Sequence, residues 1–516
     1  MPNIIIDGQA LRRGLYSDRV GLATSQETPA GYYVRSNGVD LHRVGFEGHI
    51  TPAQTFSAGS ISNAAINSLP RAVAVDISAS TPNVYWLLGG LAGTAPRIVK
   101  IISDAYSATS VTIAADAGDN FTTLPSTGFW GEDIVIYKVV GTAYVFYSWN
   151  DNDDGDVGRM TLAGASNDDD WMSTEPDSGG AKLTAAVPHR MVEGANGKLY
   201  ITNGRYVAEF DGTTGTDGVF DASAYDAGLG WVTTDVRRFG DYLVIASIKT
   251  GGAYIKTLFS TESRVAIWDM NEPGLGRVYD VQDNFLSAVF PVGGRLYAFT
   301  EGRNNTVKVH RFPSENQEFK VIWESAVYTS SPDPRSVDVY KGLLVWSSAG
   351  NILALDLETE GIHQPFLAND GTDDVTTIGF LKNIDQSKFS LGGLFAGTYK
   401  SCWLTFASTG FGTAKDLRTR LNGLPYKAII KKLTVFFSQM ASGGSATFSL
   451  FKNYATMSVG GADDLLNQVV SFAANGTVAE FEKNVTITGA SAVYLNVRVT
   501  GQVSVRAIVV DWDYLK

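Results

Sequence analysis

Carboxylates are the densest chemistry in the sequence. Residues 149–156 read Trp-Asn-Asp-Asn-Asp-Asp-Gly-Asp, and a second run, 167–171, reads Asn-Asp-Asp-Asp-Trp. A hard cation such as calcium takes several oxygens from alternate positions of a loop. The first run offers Asp151, Asp153 and the carbonyl of Gly155. The bidentate Glu that closes an EF-hand is missing, since Thr161 stands near its place. The run therefore reads either as a calcium loop outside the EF-hand pattern or as a solvated acidic loop closed by Asx turns. No other cofactor is expected.

The remaining reactive residues are sparse. The histidines are His42, His49, His189, His310 and His363, and none falls in an H-x-E, H-E-x-x-H or H-x-H spacing. Cys402, in Lys-Ser-Cys-Trp-Leu, reads as a small buried hydrophobe on a strand, with no identifiable base beside it. There is no G-x-S-x-G elbow, no Walker loop, and no G-x-G-x-x-G after a strand. Residues 148–158 do not fit the Asp-box turn of sialidases. Acid pairs able to cleave a glycoside remain open, because carboxylates are everywhere. No catalytic residue is assigned.

The elements that carry these residues repeat. The stretch 286–312 reads as an apolar run, a Gly293-Gly294 turn, a second run at 296–300, a polar turn and a third strand. The same pattern of a turn followed by an apolar-aromatic run recurs at Asn83, Gly141, Gly197, Gly240, Gly342 and Gly393. The spacing is near the roughly 40–50 residues of a β-propeller blade, and the longer intervals leave room for inserted loops. The expected fold is all-β, a propeller of six or seven blades. A β-sandwich or a set of small β domains is the alternative.

Composition agrees. Gly is 54 of 516 residues, above the usual ~7 %, and Phe, Tyr and Trp number 26, 22 and 10. Net charge is −12, which repels phosphate and disfavours sequence-specific nucleic-acid binding. One cysteine allows no intrachain disulfide, as suits a reducing cytoplasm. Ile4, Ile5 and Ile6 are too short a run for a signal segment, and nothing approaches the ~20 apolar residues of a membrane span.

In chain order, 1–65 is a turn-rich N-terminal arm in which 4–6 and 32–36 are short strand candidates. The propeller takes 66–410, and 411–425, with Gly412, Gly423 and Pro425, reads as a linker. Residues 426–516 alternate apolar with polar over long runs such as 428–437, 445–451, 493–499 and 503–512. That is a C-terminal antiparallel β-sandwich, jelly-roll-like.

This layout resembles the β-propeller virion proteins of tailed bacteriophages, of the tail nozzle, hub or adaptor type. The resemblance rests on the irregular propeller without catalytic signatures, the arm Val-Asp-Leu-His-Arg-Val-Gly-Phe-Glu-Gly-His-Ile-Thr-Pro at 39–52, and the exit through 416–421 into the Lys-rich strand 427–432. It implies a non-enzymatic structural component of a virion assembled in the host cytoplasm. It also implies a homo-oligomeric ring in contact with other tail, adaptor or fibre proteins, past which DNA slides unread. Two other readings stand beside it. One is a carbohydrate-binding adhesin, with Trp403, Tyr454, Tyr494 and Trp512 stacking on sugars. The other is a propeller glycosidase.

Overall fold

The apolar-aromatic runs are the middle strands of small antiparallel sheets, buried on both faces. Leu199–Asn203, for example, is buried at every position. The computed structural model describes residues 3–7, 11, 33–37, 39–40, 51–52, 54–55, 66–78, 83–89, 97–101, 111–116, 130–150, 155–163, 167–175, 180–214, 219–250, 262–271, 276–283, 285–302, 306–313, 316–325, 331–348, 350–368, 374–385, 388–405, 415–419, 422–440, 444–452, 466–473, 480–501 and 503–514. Seven sheets of three or four strands follow one another at 70–116, 130–161, 191–226, 231–281, 285–324, 337–363 and 375–405. They are numbered here as blades 1 to 7.

The hydrophobic cores close the sheets into a ring. A strand buried on both faces sends alternate residues to opposite sides. In blade 1, Tyr85 and Leu87 pack against Ile134, Tyr147 and Trp149 of blade 2. Val84, Trp86 and Leu88 face the other way, against Phe380, Ile384 and Trp403 of blade 7. Every successive pair of blades shares such a core, from 2 with 3 round to 6 with 7. The contact of blade 7 with blade 1 therefore completes a seven-bladed β-propeller. Trp86, Trp171, Trp268 and Trp346 are fully buried, each in a different inter-blade core. Burial of about 200 Å² per indole is worth on the order of 5 kcal/mol of gross transfer energy.

Most of the expected turns sit between a first and a second strand. Lys341 and Gly342, with φ of 50° and 77°, form one of them. Two positive φ values in succession match the right-handed strand twist of a tight hairpin. Gly393 differs: it lies inside the strand Lys388–Phe395, and the next hairpin turns at Ala396-Gly397.

The C-terminal sheet begins earlier than expected and also recruits the N-terminus. Lys415–Thr419, within the expected linker, pairs with the 21-residue strand Glu480–Thr500. Tyr33–Asn37 pairs with Lys415–Thr419, and Asn3–Asp7 pairs with the last strand, Val503–Tyr514. Both arm strands are thus part of this sheet. Glu480–Thr500 pairs along its first half with Asn422–Met440 and along its second half with Ser445–Lys452. Inward residues from both halves, including Ile430, Leu433, Phe448, Val497, Ile508 and Val510, form one core with Ile6. A single sheet covers its own apolar face only by folding over itself, so the unit is a sandwich. Gln54–Thr55 runs parallel to Phe366–Leu367, between blades 6 and 7.

The ring closes at a close backbone approach. A Cβ on Gly379 would lie 2.0 Å from the carbonyl oxygen of Pro70, and a backbone atom cannot swing aside. Gly379→Ala is expected to separate blades 1 and 7. Amide exchange should accelerate in 70–116 and 375–405 while the sandwich keeps its protection. Unchanged exchange in blade 1 would refute this closure.

Candidate functional site

The innermost strands share one irregularity. In blades 1, 2, 4 and 5 the ladder between the first and second strands skips a residue, at Arg71, Glu132, Thr234 and Ser287 respectively. Such a bulge re-aims the side chain of the extra residue. All four line one cavity of about 180 Å³ on the propeller axis. Arg190, just before blade 3, joins them, as do Asp333 and Arg335 around the 3₁₀ turn Pro334–Ser336 that leads into blade 6. A second cavity, of about 420 Å³, continues along the later residues of the innermost strands, and Arg190, Pro334 and Arg335 also line it. These residues are therefore the partition between the two spaces.

The partition is a charge cluster. Arg190 lies 3.2 Å from a Glu132 carboxylate oxygen and 3.3 Å from Asp333. Arg335 lies 3.7 Å from Glu132, and its Nε donates to Asp333 at 2.7 Å. Both arginines also donate to the Glu132 carbonyl, at 2.9 and 2.6 Å. Burial opposes the charge on Asp333, but Arg190 and Arg335 outweigh it and hold the carboxyl well below its usual range. Burial likewise opposes the charge on Arg335, and Asp333 and Glu132 outweigh it, raising its pKa. The cluster ties together blades 2, 3 and 6.

A second device runs blade to blade. Asp133, Asp235 and Asp338 occupy the innermost strands of blades 2, 4 and 6. In each, one carboxylate oxygen accepts from the next residue's N–H, at Ile134, Val236 and Val339. The other oxygen accepts from the following blade, at Met191 N–H, Val289 N–H and Asn383 N–H, over 2.9, 3.1 and 2.9 Å. Burial pushes the Asp235 carboxyl up, against Arg237 and these hydrogen bonds. Both of its oxygens are occupied by backbone donors and the residue is fully buried. A general acid or nucleophile has to touch its substrate, so this carboxylate is a fastener.

The sequence candidates fall elsewhere. Asp151 and Asp153 lie outside the described residues. Gly155 starts the third strand of blade 2, where its carbonyl accepts from Leu183 N–H at 2.8 Å. The space a Cβ would fill there is taken by His189, at 2.6 Å. In the second acidic run, Asp168, Asp169 and Asp170 place carboxylate oxygens within 4.8 Å of one another. Their loop leads into a single helical turn, Trp171–Thr174, whose Trp171 packs on Phe146 and Phe210.

Cys402 and Trp403 are buried in blade 7, and Trp512 is buried in the sandwich core. These two indoles are therefore not presented to a sugar; Tyr454 and the Tyr494 side chain lie outside the described residues. His42 and His49 also lie outside them. His189 is fully buried, and burial lowers its pKa to about 4. In blade 5, Thr300 donates to Asp283 at 3.0 Å and meets His310 Nε2 at 2.8 Å. This is a hydroxyl between an acid and an imidazole, but Thr300 and His310 are both fully buried, so the arrangement serves packing. The axial arginines escaped motif reasoning because each comes from a different blade. The available signal was a polar residue interrupting an otherwise apolar innermost strand, as in Thr-Thr-Asp-Val at 233–236.

No family model matches this chain, and no curated protein does. Among solved structures it is similar to the extracellular domain assigned to a one-component system of B. thetaiotaomicron, at 9 % identity and a TM-score of 0.42 over 91 % of this chain. A second structure from that organism, the extracellular domain assigned to a hybrid two-component system, gives 10 % identity and 0.40 over 89 %. The chain spans 63 % and 56 % of those two chains. A chain of the mitotic checkpoint complex gives 9 % identity and 0.41, covering 68 % of this chain and 94 % of that one.

Two measurements probe the site. Asp235→Ala leaves the Val236 and Val289 N–H groups without their acceptor and Arg237 with only the Pro334 carbonyl. It should cost about 3 kcal/mol of stability, read as a fall in the thermal midpoint. Asp156 is fully buried beneath the helical turn, where Ser173 Oγ donates to it at 2.5 Å, and burial raises its pKa from 3.8 to about 7. A raised carboxyl pKa means folding takes up a proton. The contribution is full below pH 3.8 and lost as pH rises through about 7. Asp156→Asn should therefore match the wild type near pH 4 and gain an increasing thermal advantage up to pH 8, whereas a constant difference between the two melts would contradict the assignment.

Proposed function

We propose that this chain is a non-catalytic structural component of a tailed-phage virion. In this reading it acts by protein–protein contact at the tail nozzle, hub or adaptor, around the path by which DNA leaves. The observation that carries the contact reading is the tip of the first hairpin of blade 2. Val140 there is 93 % exposed and has φ 47°. A β-branched residue in the left-handed region costs on the order of 1 kcal/mol, and an exposed one returns nothing to the fold. Ile77 and Tyr242, 78 % and 48 % exposed, lie at the corresponding ends of blades 1 and 4. A meander puts all these ends on one face of the propeller. Apolar tips gathered on one face, with Ile77 also lining the larger axial cavity, suit a partner protein.

The axial cluster fits the same reading. Its charges are largely paired with one another and fill the axis, so DNA would pass through a ring of copies and not through one propeller. The adhesin reading loses two of its four sugar-stacking candidates to the cores. Among the described residues no helix is long and apolar enough to cross a membrane.

Light scattering after size exclusion, with and without calcium, is the deciding experiment. A closed oligomer is expected. Val140→Asn should raise the thermal midpoint, because Asn tolerates this backbone, while Val140→Asp combined with Tyr242→Asp should break the oligomer. A strict monomer that binds glycans on an array, or that releases reducing sugar, would sink the proposal.

A further inference from the structure

Arg71 stands apart from the other axial cations. It makes no hydrogen bond or ion pair among the described residues, although it lines the 180 Å³ cavity together with Arg190 and Arg335. Its stem is held in place. A Cβ on Gly89 would come within 2.8 Å of Arg71 Cδ, so the arginine runs over a position kept bare for it. Arg71 also lines a third cavity, of about 300 Å³, on the far side of Asp333 and Arg335. Burial lowers its pKa, Arg335 and Arg190 add to that, and Glu132 and Asp333 oppose it. The small cavity thus has three guanidinium groups, Arg71, Arg190 and Arg335, against two carboxylates, Glu132 and Asp333. Those carboxylates are the direct partners of Arg190 and Arg335, which leaves Arg71 as the guanidinium of this cavity without one among the described residues, and a largely buried charge is retained at low cost only when something pairs with it.

We propose that the axial cavity between Arg71, Arg190 and Arg335 binds a small, singly charged carboxylate. A single guanidinium without a partner calls for a single carboxylate. The planar fork of a guanidinium matches the two oxygens of a carboxylate. At roughly 30 Å³ per water, the space holds a few heavy atoms and no extended chain. The hydroxyls of Thr234 and Ser287 are spent on the carbonyls of Leu286 and Phe299, so arginine supplies the recognition. The site goes beyond the virion reading and does not depend on it, since it sits inside one propeller whatever the chain assembles with.

Acetate is the probe, titrated into the full chain against sodium chloride at equal ionic strength, with sulfate as the dianion. Thermal midpoint and isothermal titration calorimetry are the readouts. Acetate should raise the midpoint saturably, chloride should not, and Arg71→Met should weaken acetate binding at least tenfold. Methionine keeps the stem that covers Gly89. If Arg71→Met does not fold, Arg71→Lys keeps the charge without the fork and should show an intermediate loss. An acetate response equal in wild type and variant, or no saturable response in the wild type, would overturn the site. A response to sulfate alone would overturn the monoanion assignment.

Discussion

Seven sheets wedged around one axis crowd their innermost strands, and everything else in the propeller answers to that crowding. Backbone groups at the axis cannot be satisfied by a neighbouring strand on both sides, and bulk water reaches them poorly. Bulges at Arg71, Glu132, Thr234 and Ser287 release the register and turn side chains inward. The charged side chains gathered there must largely neutralise one another, because an unpaired charge in such a place is costly. The cluster of Glu132, Arg190, Asp333 and Arg335 does so across blades 2, 3 and 6. Replacing buried ion pairs with apolar groups is often neutral or stabilising elsewhere. Their role here is better described as specification: they join particular blades that apolar packing alone would not distinguish.

The two levels of cohesion divide the work. Apolar cores between successive blades supply the driving force, and they are interchangeable in kind. The aspartates of blades 2, 4 and 6 fix the offset of each following blade, since a carboxylate that bonds both its own strand and the next tolerates little sliding. Charge is sorted between levels as well. The chain as a whole carries −12, while the small axial cavity is lined by more arginines than acids.

Much of the architecture was legible in the sequence because burial on both faces writes a continuous apolar run, as at 296–300 and 343–346. Turn glycines gave the blade interval. Gly393 misled for a physical reason: a glycine inside a strand marks close backbone packing as readily as a turn, and a Cβ there would lie 2.6 Å from the Thr377 carbonyl oxygen. The sandwich boundary was less legible. Residues 415–419 hold a single apolar side chain, Leu417, among four polar ones and carry no strand pattern, and Ile4 to Ile6 find their partner more than 500 positions away. The axial site was least legible, since its members are drawn one or two per blade and no local spacing relates them.

The pairing of Asn3–Asp7 with Val503–Tyr514 makes the propeller an insertion between strands of a single sandwich. That ladder is antiparallel, with Asn3 opposite Asp511 and Asp7 opposite Ala507. Tension applied at residue 3 and residue 514 would therefore act on neighbouring points at one end of the same ladder. It would peel the ladder open one rung at a time, at low force, and the seven blades spliced between would carry no load until the sandwich had come apart.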